Sequence, residues 1–198
     1  MAAYQQNFSR SNIINNLPAS EVYPLAQFCH TTHYDLRPDP SDISLLVIHN
    51  ISLPPNQFGG DYIEQFFCGR LDSVAHPYFA TIADLRVSAH CLIKRDGRVV
   101  QFVPFSQRAW HAGKSSFQGR EICNDYGIGI ELEGSDTIAY TTEQYQSLVN
   151  LTRYIMQQFP KITLSRIVGH NDIAPKRKTD PGPAFNWQHF RQLLVNSL

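Results

Sequence analysis

The chain has 198 residues, 42% of them hydrophobic and 17% charged, which is ordinary for a globular protein with a hydrophobic core. Lysine plus arginine and aspartate plus glutamate both number 17, so no net charge favours nucleic acid or an anionic membrane surface. No apolar run approaches the roughly 20 residues that cross a bilayer. Residues 1–20 read as a polar extension without the apolar region of a secretory signal, and we therefore expect a cytoplasmic protein.

The first half of the chain predicts a strand, a long irregular segment and a hairpin. The β-rich run Leu45–Asn50 is followed by Ile51–His76, whose prolines and glycines predict a long loop and a candidate lid over a site. A short helix is expected at Tyr78–Leu85. The runs Ser88–Lys94 and Arg98–Val103 flank an Asp-Gly pair, which indicates a hairpin because both turn positions tolerate positive φ.

The second half of the chain alternates predicted strands and helices. A strand is expected at Ile128–Glu133, and a capping box at Thr141 begins a helix that ends before Pro160. A further strand is expected at Arg166–His170, and a C-terminal helix follows a cap at Asn186. This order predicts a single α/β (α+β mixed) domain with a central mixed β-sheet flanked by helices.

Two histidines and one aspartate are candidate metal ligands. His49 and His170 each end a predicted strand, where a side chain can project from a rigid scaffold into a cleft. Asp180 follows Lys178 by two residues in a proline-rich turn that can return toward His170. Two histidines and a carboxylate with an open position are typical of catalytic zinc. A solvated basic turn with an incidental salt bridge explains this stretch equally well.

The strand that ends at Glu133 favours the metal site. Apolar residues alternate there with glycines and with two carboxylates, so Glu131 and Glu133 share one face of the strand. An acid beside a metal can take a proton from water and pass it to a leaving amine. The pattern does not separate Glu131 from Glu133, and a solvated edge strand would show the same alternation.

The remaining histidines and the cysteines receive other predictions. His90 lies within a strand, where a core role or a contact behind the site is favoured over ligation. His111 is next to Trp110, and the pair is expected to line the cleft or stack on a sugar, with a packed core tryptophan as the alternative. Free thiols are favoured over disulfides for the four cysteines. Structural or surface roles are expected for His30, His33, His76 and His189.

Several motifs occur in order between His33 and Phe190, and together they are specific. They include HYDLRPD (His33–Asp39), LLVIHNISLPP (Leu45–Pro55), LRVSAHCLIKRDG (Leu85–Gly97), RAWHAG (Arg108–Gly113) and the stretch from Gly169 to Phe185. With these motifs the chain resembles the zinc-dependent N-acetylmuramoyl-L-alanine amidases. Within that family it is most similar to the cytoplasmic enzymes that act on anhydro-muramyl peptides.

The resemblance implies a Zn²⁺ cofactor and a muropeptide substrate, with residues 21–198 as the catalytic domain. His49, His170 and Asp180 match the zinc ligands of the family, and Glu131 and Lys178 match its catalytic pair. No nucleic acid or membrane partner is implied, and the oligomeric state stays open. Two alternatives remain, namely a peptidoglycan-binding module and an amidase that acts on intact cell wall. Candidate substrate contacts are Asn50, Arg86, Trp110 and His111.

Overall fold

The computed structural model describes residues 18–198, so the polar extension predicted at residues 1–20 lies almost entirely outside the described residues. A mixed sheet of six strands forms the centre of the described part. Within that part, no helix combines the length and the apolar character needed to cross a bilayer.

The strands are numbered in chain order. They are β1 (Gln27–Phe28), β2 (Tyr34–Leu36), β3 (Leu45–Ile51), β4 (Cys91–Ile93), β5 (Val99–Gln101), β6 (Gln107–Ala109), β7 (Ser116–Phe117), β8 (Arg120–Glu121), β9 (Gly127–Glu133) and β10 (Ile167–Gly169). The central sheet has the order β1-β5-β4-β9-β3-β10, and all neighbours are parallel except β4 and β5. The pairs β2–β6 and β7–β8 form two small antiparallel ribbons.

The helices are numbered in the same way. They are α1 (Tyr62–Phe67), α2 (Pro77–Ala80), α3 (Thr142–Gln158), α4 (His170–Ile173) and α5 (Trp187–Ser197), with 3₁₀ turns at Ala19–Glu21, Cys123–Asp125 and Leu164–Arg166. The mixed sheet with flanking helices confirms the predicted fold class. All five predicted strands are present, as β3, β4, β5, β9 and β10. The Asp-Gly hairpin joins β4 to β5, and its glycine, Gly97, has a φ of 83°.

The helix predicted at Tyr78–Leu85 is wrong in extent, since α2 ends at Ala80 and turns follow. The Thr81 hydroxyl donates to the Tyr78 carbonyl at 2.7 Å, which gives that carbonyl a local partner and favours a turn over continued helix. The long segment Ile51–His76 is also less irregular than expected. It contains α1, whose Ile63, Phe66 and Phe67 are buried in a hydrophobic cluster beside the sheet.

Alternation along β3 explains how the sheet is covered and where polar side chains lie. Leu46 and Ile48 belong to the main hydrophobic core, together with Leu148 of α3 and Phe190 of α5. The intervening residues of β3 point to the opposite face, and they include His49, two residues before the strand ends at Ile51. In open sheets of this kind, ligands bind beyond the carboxyl ends of parallel strands. The fold therefore positions His49 at the expected edge.

The capping box of α3 joins this helix to the sheet and leads to a stability prediction. Thr141 Oγ1 accepts from Gln144 N at 3.1 Å and donates to the Arg95 carbonyl at 2.8 Å. We expect Thr141→Ala to lower the free energy of unfolding by about 1–2 kcal/mol, and Tm by about 2–4 °C for each kcal/mol. Thermal unfolding of this variant and of exposed Thr142→Ala provides the test. Equal Tm values for the two variants would contradict the role of the cap.

Candidate metal centre and active-site cavity

His49, His170 and Asp180 meet at the carboxyl edge of the sheet. His49 is near the end of β3, and His170 begins α4 directly after the neighbouring parallel strand β10. Their Nδ1 atoms are 2.9 Å apart, and Asp180 Oδ2 is 3.1 Å from the first and 3.0 Å from the second. The convergence expected from the sequence is therefore present, and the three donor atoms form a nearly equilateral triangle.

The turn that carries Asp180 is fixed by hydrogen bonds on both sides of the carboxylate. The Asp180 carbonyl accepts from Asn171 N at 3.0 Å. The following carbonyl, that of Pro181, accepts from the Tyr140 hydroxyl at 2.8 Å and from Asn50 Nδ2 at 3.1 Å. These bonds anchor the turn to the sheet edge, so the carboxylate is held toward the two imidazoles.

Burial and mutual contact set the charges of the cluster. Burial lowers the pKa of His49 to about 4, so this imidazole is neutral at physiological pH. Burial opposes ionisation of Asp180, but the hydrogen bonds to His170 and His49 lower the pKa of this carboxyl below its ordinary value. Metal binding needs a neutral imidazole and an ionised carboxylate. The donor set therefore fits a metal ion.

The Nε2 atoms of His49 and His170, which point away from the cluster, contact the single loop that contains His111 and Ala112. His49 Nε2 is 3.0 Å from His111 Nδ1, and His170 Nε2 is 3.1 Å from the Ala112 carbonyl oxygen. Asn124 Oδ1 accepts from the backbone N–H groups of both loop residues, at 3.1 and 2.8 Å. Reasoning from the sequence missed Ala112 and Asn124, because their contacts arise only in the folded chain and no local pattern marks them.

Glu131 and Glu133, which the sequence could not distinguish, have different surroundings. Glu131 is directly opposite His49 in the register of β3 and β9, and its buried Oε2 has no hydrogen-bond partner among residues 18–198. Glu133 is committed to the backbone, since its Oε1 accepts from Gly59 N at 2.7 Å and its Oε2 from Arg95 N at 3.0 Å. Within the part of the chain that the structure describes, Glu131 therefore has an oxygen without a hydrogen bond, whereas both oxygens of Glu133 accept one.

A cavity of about 370 Å³ opens onto the cluster and is lined by residues of the sheet edge, of α1 and of the surrounding loops. The predicted site residues in its lining are Asn50, Trp110, His111, Glu131, His170, Lys178 and Asp180. Arg86 is not brought into this cavity with the other candidates. It is exposed in a neighbouring cavity of about 360 Å³, and the two cavities share Phe66 and Leu85 as wall residues.

Two further histidines support the walls of the site. His90 is fully buried, with Nε2 at 3.0 Å from Arg37 Nη2 and Nδ1 accepting from Gly129 N at 3.0 Å, in agreement with the predicted core role. The His33 ring stacks on Trp110, with centroids 6.2 Å apart and an interplanar angle of 10°. His90 therefore supports the site through Gly129 of β9, and His33 supports it through Trp110.

Comparison with known proteins gives a consistent relationship. A relative from Citrobacter freundii, the 1,6-anhydro-N-acetylmuramyl-L-alanine amidase AmpD, is 61% identical over 165 residues, which cover 83% of this chain and 88% of that protein. A crystal structure of a selenomethionine derivative of AmpD matches with a TM-score of 0.87 at 57% identity, covering 90% of this chain and 99% of that chain.

A third relative was solved with a ligand. The amidase AmiD of Escherichia coli, in complex with the substrate anhydro-N-acetylmuramic acid-L-Ala-D-gamma-Glu-L-Lys, matches with a TM-score of 0.56 at 33% identity. That match covers 76% of this chain and 57% of the AmiD chain. The sequence profile described as N-acetylmuramoyl-L-alanine amidase matches residues 39–183, which include all the residues of the cluster. The chain therefore belongs to the N-acetylmuramoyl-L-alanine amidase family.

Proposed function

We propose that the protein is a zinc-dependent amidase of peptidoglycan recycling. It cleaves the amide bond between the lactyl group of anhydro-N-acetylmuramic acid and L-alanine in muropeptides. The observation that carries this proposal is the cluster of His49, His170 and Asp180 beside the buried carboxyl group of Glu131. A metal ion next to a proton acceptor is a common arrangement for hydrolysis. The similarity to AmpD and the ligand of AmiD support the choice of substrate.

Zinc suits this donor set better than the hard divalent cations do. Catalytic zinc sites use three protein ligands, often histidine with a carboxylate, and keep one position open, whereas magnesium and calcium prefer oxygen ligands. Zinc–nitrogen bonds of about 2.0–2.1 Å place tetrahedral donors about 3.3 Å apart, close to the spacing of His49, His170 and Asp180. Bound zinc supplies a water nucleophile at neutral pH and polarises the substrate carbonyl.

Glu131 is the proposed proton acceptor and donor. Burial, reinforced by the charge of Asp180, raises the pKa of Glu131 well above its ordinary value, while the ammonium of Lys178 opposes the rise. A carboxyl group with a raised pKa is better matched to proton transfer near neutral pH. Its unpartnered oxygen can take a proton from the attacking water and return it to the amine of L-alanine.

Lys178 is the proposed stabiliser of the developing oxyanion. Its side chain lines the same cavity as Glu131 and Asp180, at the exposed side of the cluster. When water attacks the amide, negative charge develops on the carbonyl oxygen. A fixed cation beside that oxygen stabilises the transition state more than the substrate, and loss of one such donor typically lowers kcat about 10²–10³-fold.

The substrate contacts predicted from the sequence receive separate roles in this proposal. Trp110, held by the stacked ring of His33, offers an aromatic wall to the sugar. The Asn50 side-chain amide donates to Asp136 Oδ1 at 2.9 Å. Asn50 therefore shapes the cavity by holding the turn that contains Asp136. Arg86 occupies the adjoining cavity, which suits a carboxylate farther along the peptide stem.

Comparison of two substrates tests the proposal against its alternatives. We expect the zinc-loaded protein to release peptide from a soluble anhydro-muropeptide with a higher kcat/KM than from whole sacculi, because the buried cluster is reached through a confined cavity. Chromatography of the released peptide measures both rates. A preference for sacculi would instead indicate an amidase of intact wall, and binding without cleavage would indicate a recognition module.

We also propose that residues 21–198 form the catalytic domain and that the enzyme works in the cytoplasm. The family match over residues 39–183 supports the first part. The second part is supported by the cysteines, all of which are free thiols in the structure, as is usual in a reducing compartment. Cell fractionation with an antibody to the chain tests the location, and recovery in the periplasm would contradict it.

A further inference from the structure

The loop that contains His111 lines the cavity and also contacts the metal cluster. His111 Nδ1 is 3.0 Å from His49 Nε2, and the two rings meet edge to face with centroids 5.0 Å apart. The adjacent Ala112 carbonyl lies 3.1 Å from His170 Nε2. The Nδ1 atoms of His49 and His170 point into the cluster. Their Nε2 atoms are therefore both contacted by this loop, through two residues that are consecutive in sequence.

Gly129 of β9 makes room for this arrangement. A Cβ at Gly129 would lie 2.4 Å from Cγ and 2.6 Å from Nδ1 of His111, which is closer than van der Waals contact allows. Any side chain at this position would therefore displace the imidazole. The glycine on the polar face of β9 is thus explained by close approach of another side chain, one of the reasons for glycine within strands.

We infer that His111 is a positioning residue that orients His49 for metal binding, and that Gly129 is required for it. The inference rests on the metal centre of the proposed function. A ligand that presents Nδ1 to a cation carries its proton on Nε2, and His111 Nδ1 is placed to accept that proton in a hydrogen bond. Such outer contacts fix the tautomer and the ring orientation of metal-bound histidines.

This role is separate from the sugar contact that the sequence predicts for His111, which stays a prediction. The Nδ1 atom of His111 contacts His49, and the ring of His111 occupies the space where a Cβ at Gly129 would lie. The residue is half-buried and still lines the cavity. Trp110, one residue earlier, is a further aromatic group that borders the cavity.

Zinc affinity measured without substrate tests the inference. We expect His111→Ala to weaken zinc binding about 10–100-fold in competition with a chromophoric chelator. His111→Asn should retain most of the affinity, because an asparagine oxygen can occupy the place of Nδ1 and accept from His49. Gly129→Ala should weaken zinc binding in the same way, and Gly60→Ala, whose nearest neighbour to a Cβ is at 3.4 Å, serves as the matched glycine control.

The double variant Gly129→Ala/His111→Ala shows whether the two single substitutions weaken zinc binding through the same contact or independently. If Gly129 acts only by admitting His111, the double variant should bind zinc no more weakly than His111→Ala alone. Wild-type affinity in His111→Ala, or equal losses in His111→Ala and His111→Asn, would overturn the inference. Because no substrate is used, zinc binding that depends on His111 would stand even if muropeptide cleavage were absent.

Discussion

Replacement of Glu131 by glutamine is expected to lower kcat for muropeptide cleavage about 10²–10⁴-fold, because an amide cannot accept the proton of the attacking water. Glutamine has the same shape, so the cavity and the cluster should be preserved. Zinc content should remain at the wild-type level, since Glu131 is not one of the three residues whose donor atoms face one another. Steady-state kinetics and atomic absorption on the same preparation measure both quantities.

Glu133→Gln is the matched control for this prediction. One of its oxygens would become an amide nitrogen that faces either Gly59 N or Arg95 N, so a backbone donor would lose its acceptor. We expect a loss of stability of about 1–3 kcal/mol with kcat of the folded enzyme close to wild type. Loss of turnover in Glu133→Gln, with normal turnover in Glu131→Gln, would transfer the role of base to Glu133.

The elements that were predictable from the sequence are those whose signals are local. The capping box at Thr141 and the Asp-Gly turn before Arg98 specify their own backbone geometry, and both are present. The helix expected at Tyr78–Leu85 failed because a side-chain hydrogen bond from Thr81 competes with the backbone pattern, which apolar spacing does not reveal. Burial of α1 beneath the cavity depends on contacts with distant strands, so Ile51–His76 looked like a loop.

The candidate site shows the same division. His49 and His170 were found because histidines that end strands belong to the same edge of a parallel sheet. Glu131 and Glu133 could not be separated, because the difference between them is which backbone N–H groups approach from other parts of the chain. His111 was associated with Trp110, its neighbour in sequence. Its contact with His49 spans 62 positions and leaves no local trace.

Removal of the metal is expected to abolish turnover and to lower the thermal stability of the enzyme. His49 and His170 are buried, so the cation would be held by groups that are organised only in the folded chain. A ligand that binds only the folded state at 1,000 times its Kd stabilises that state by about 4 kcal/mol. For a chain of this size the corresponding fall in Tm on chelation is about 8–16 °C.

Zinc titration of the chelated wild type and of Asp180→Ala decides whether this effect belongs to the proposed centre. In the wild type, added zinc should restore both turnover and Tm, whereas magnesium should restore neither, because imidazole nitrogens are poor ligands for it. Asp180→Ala lacks one of the three donors, so its Tm should respond weakly to zinc and its turnover should stay near background. Full turnover by metal-free protein would rule out a metal-dependent amidase. A zinc-dependent Tm that is unchanged in Asp180→Ala would place the cation elsewhere in the chain.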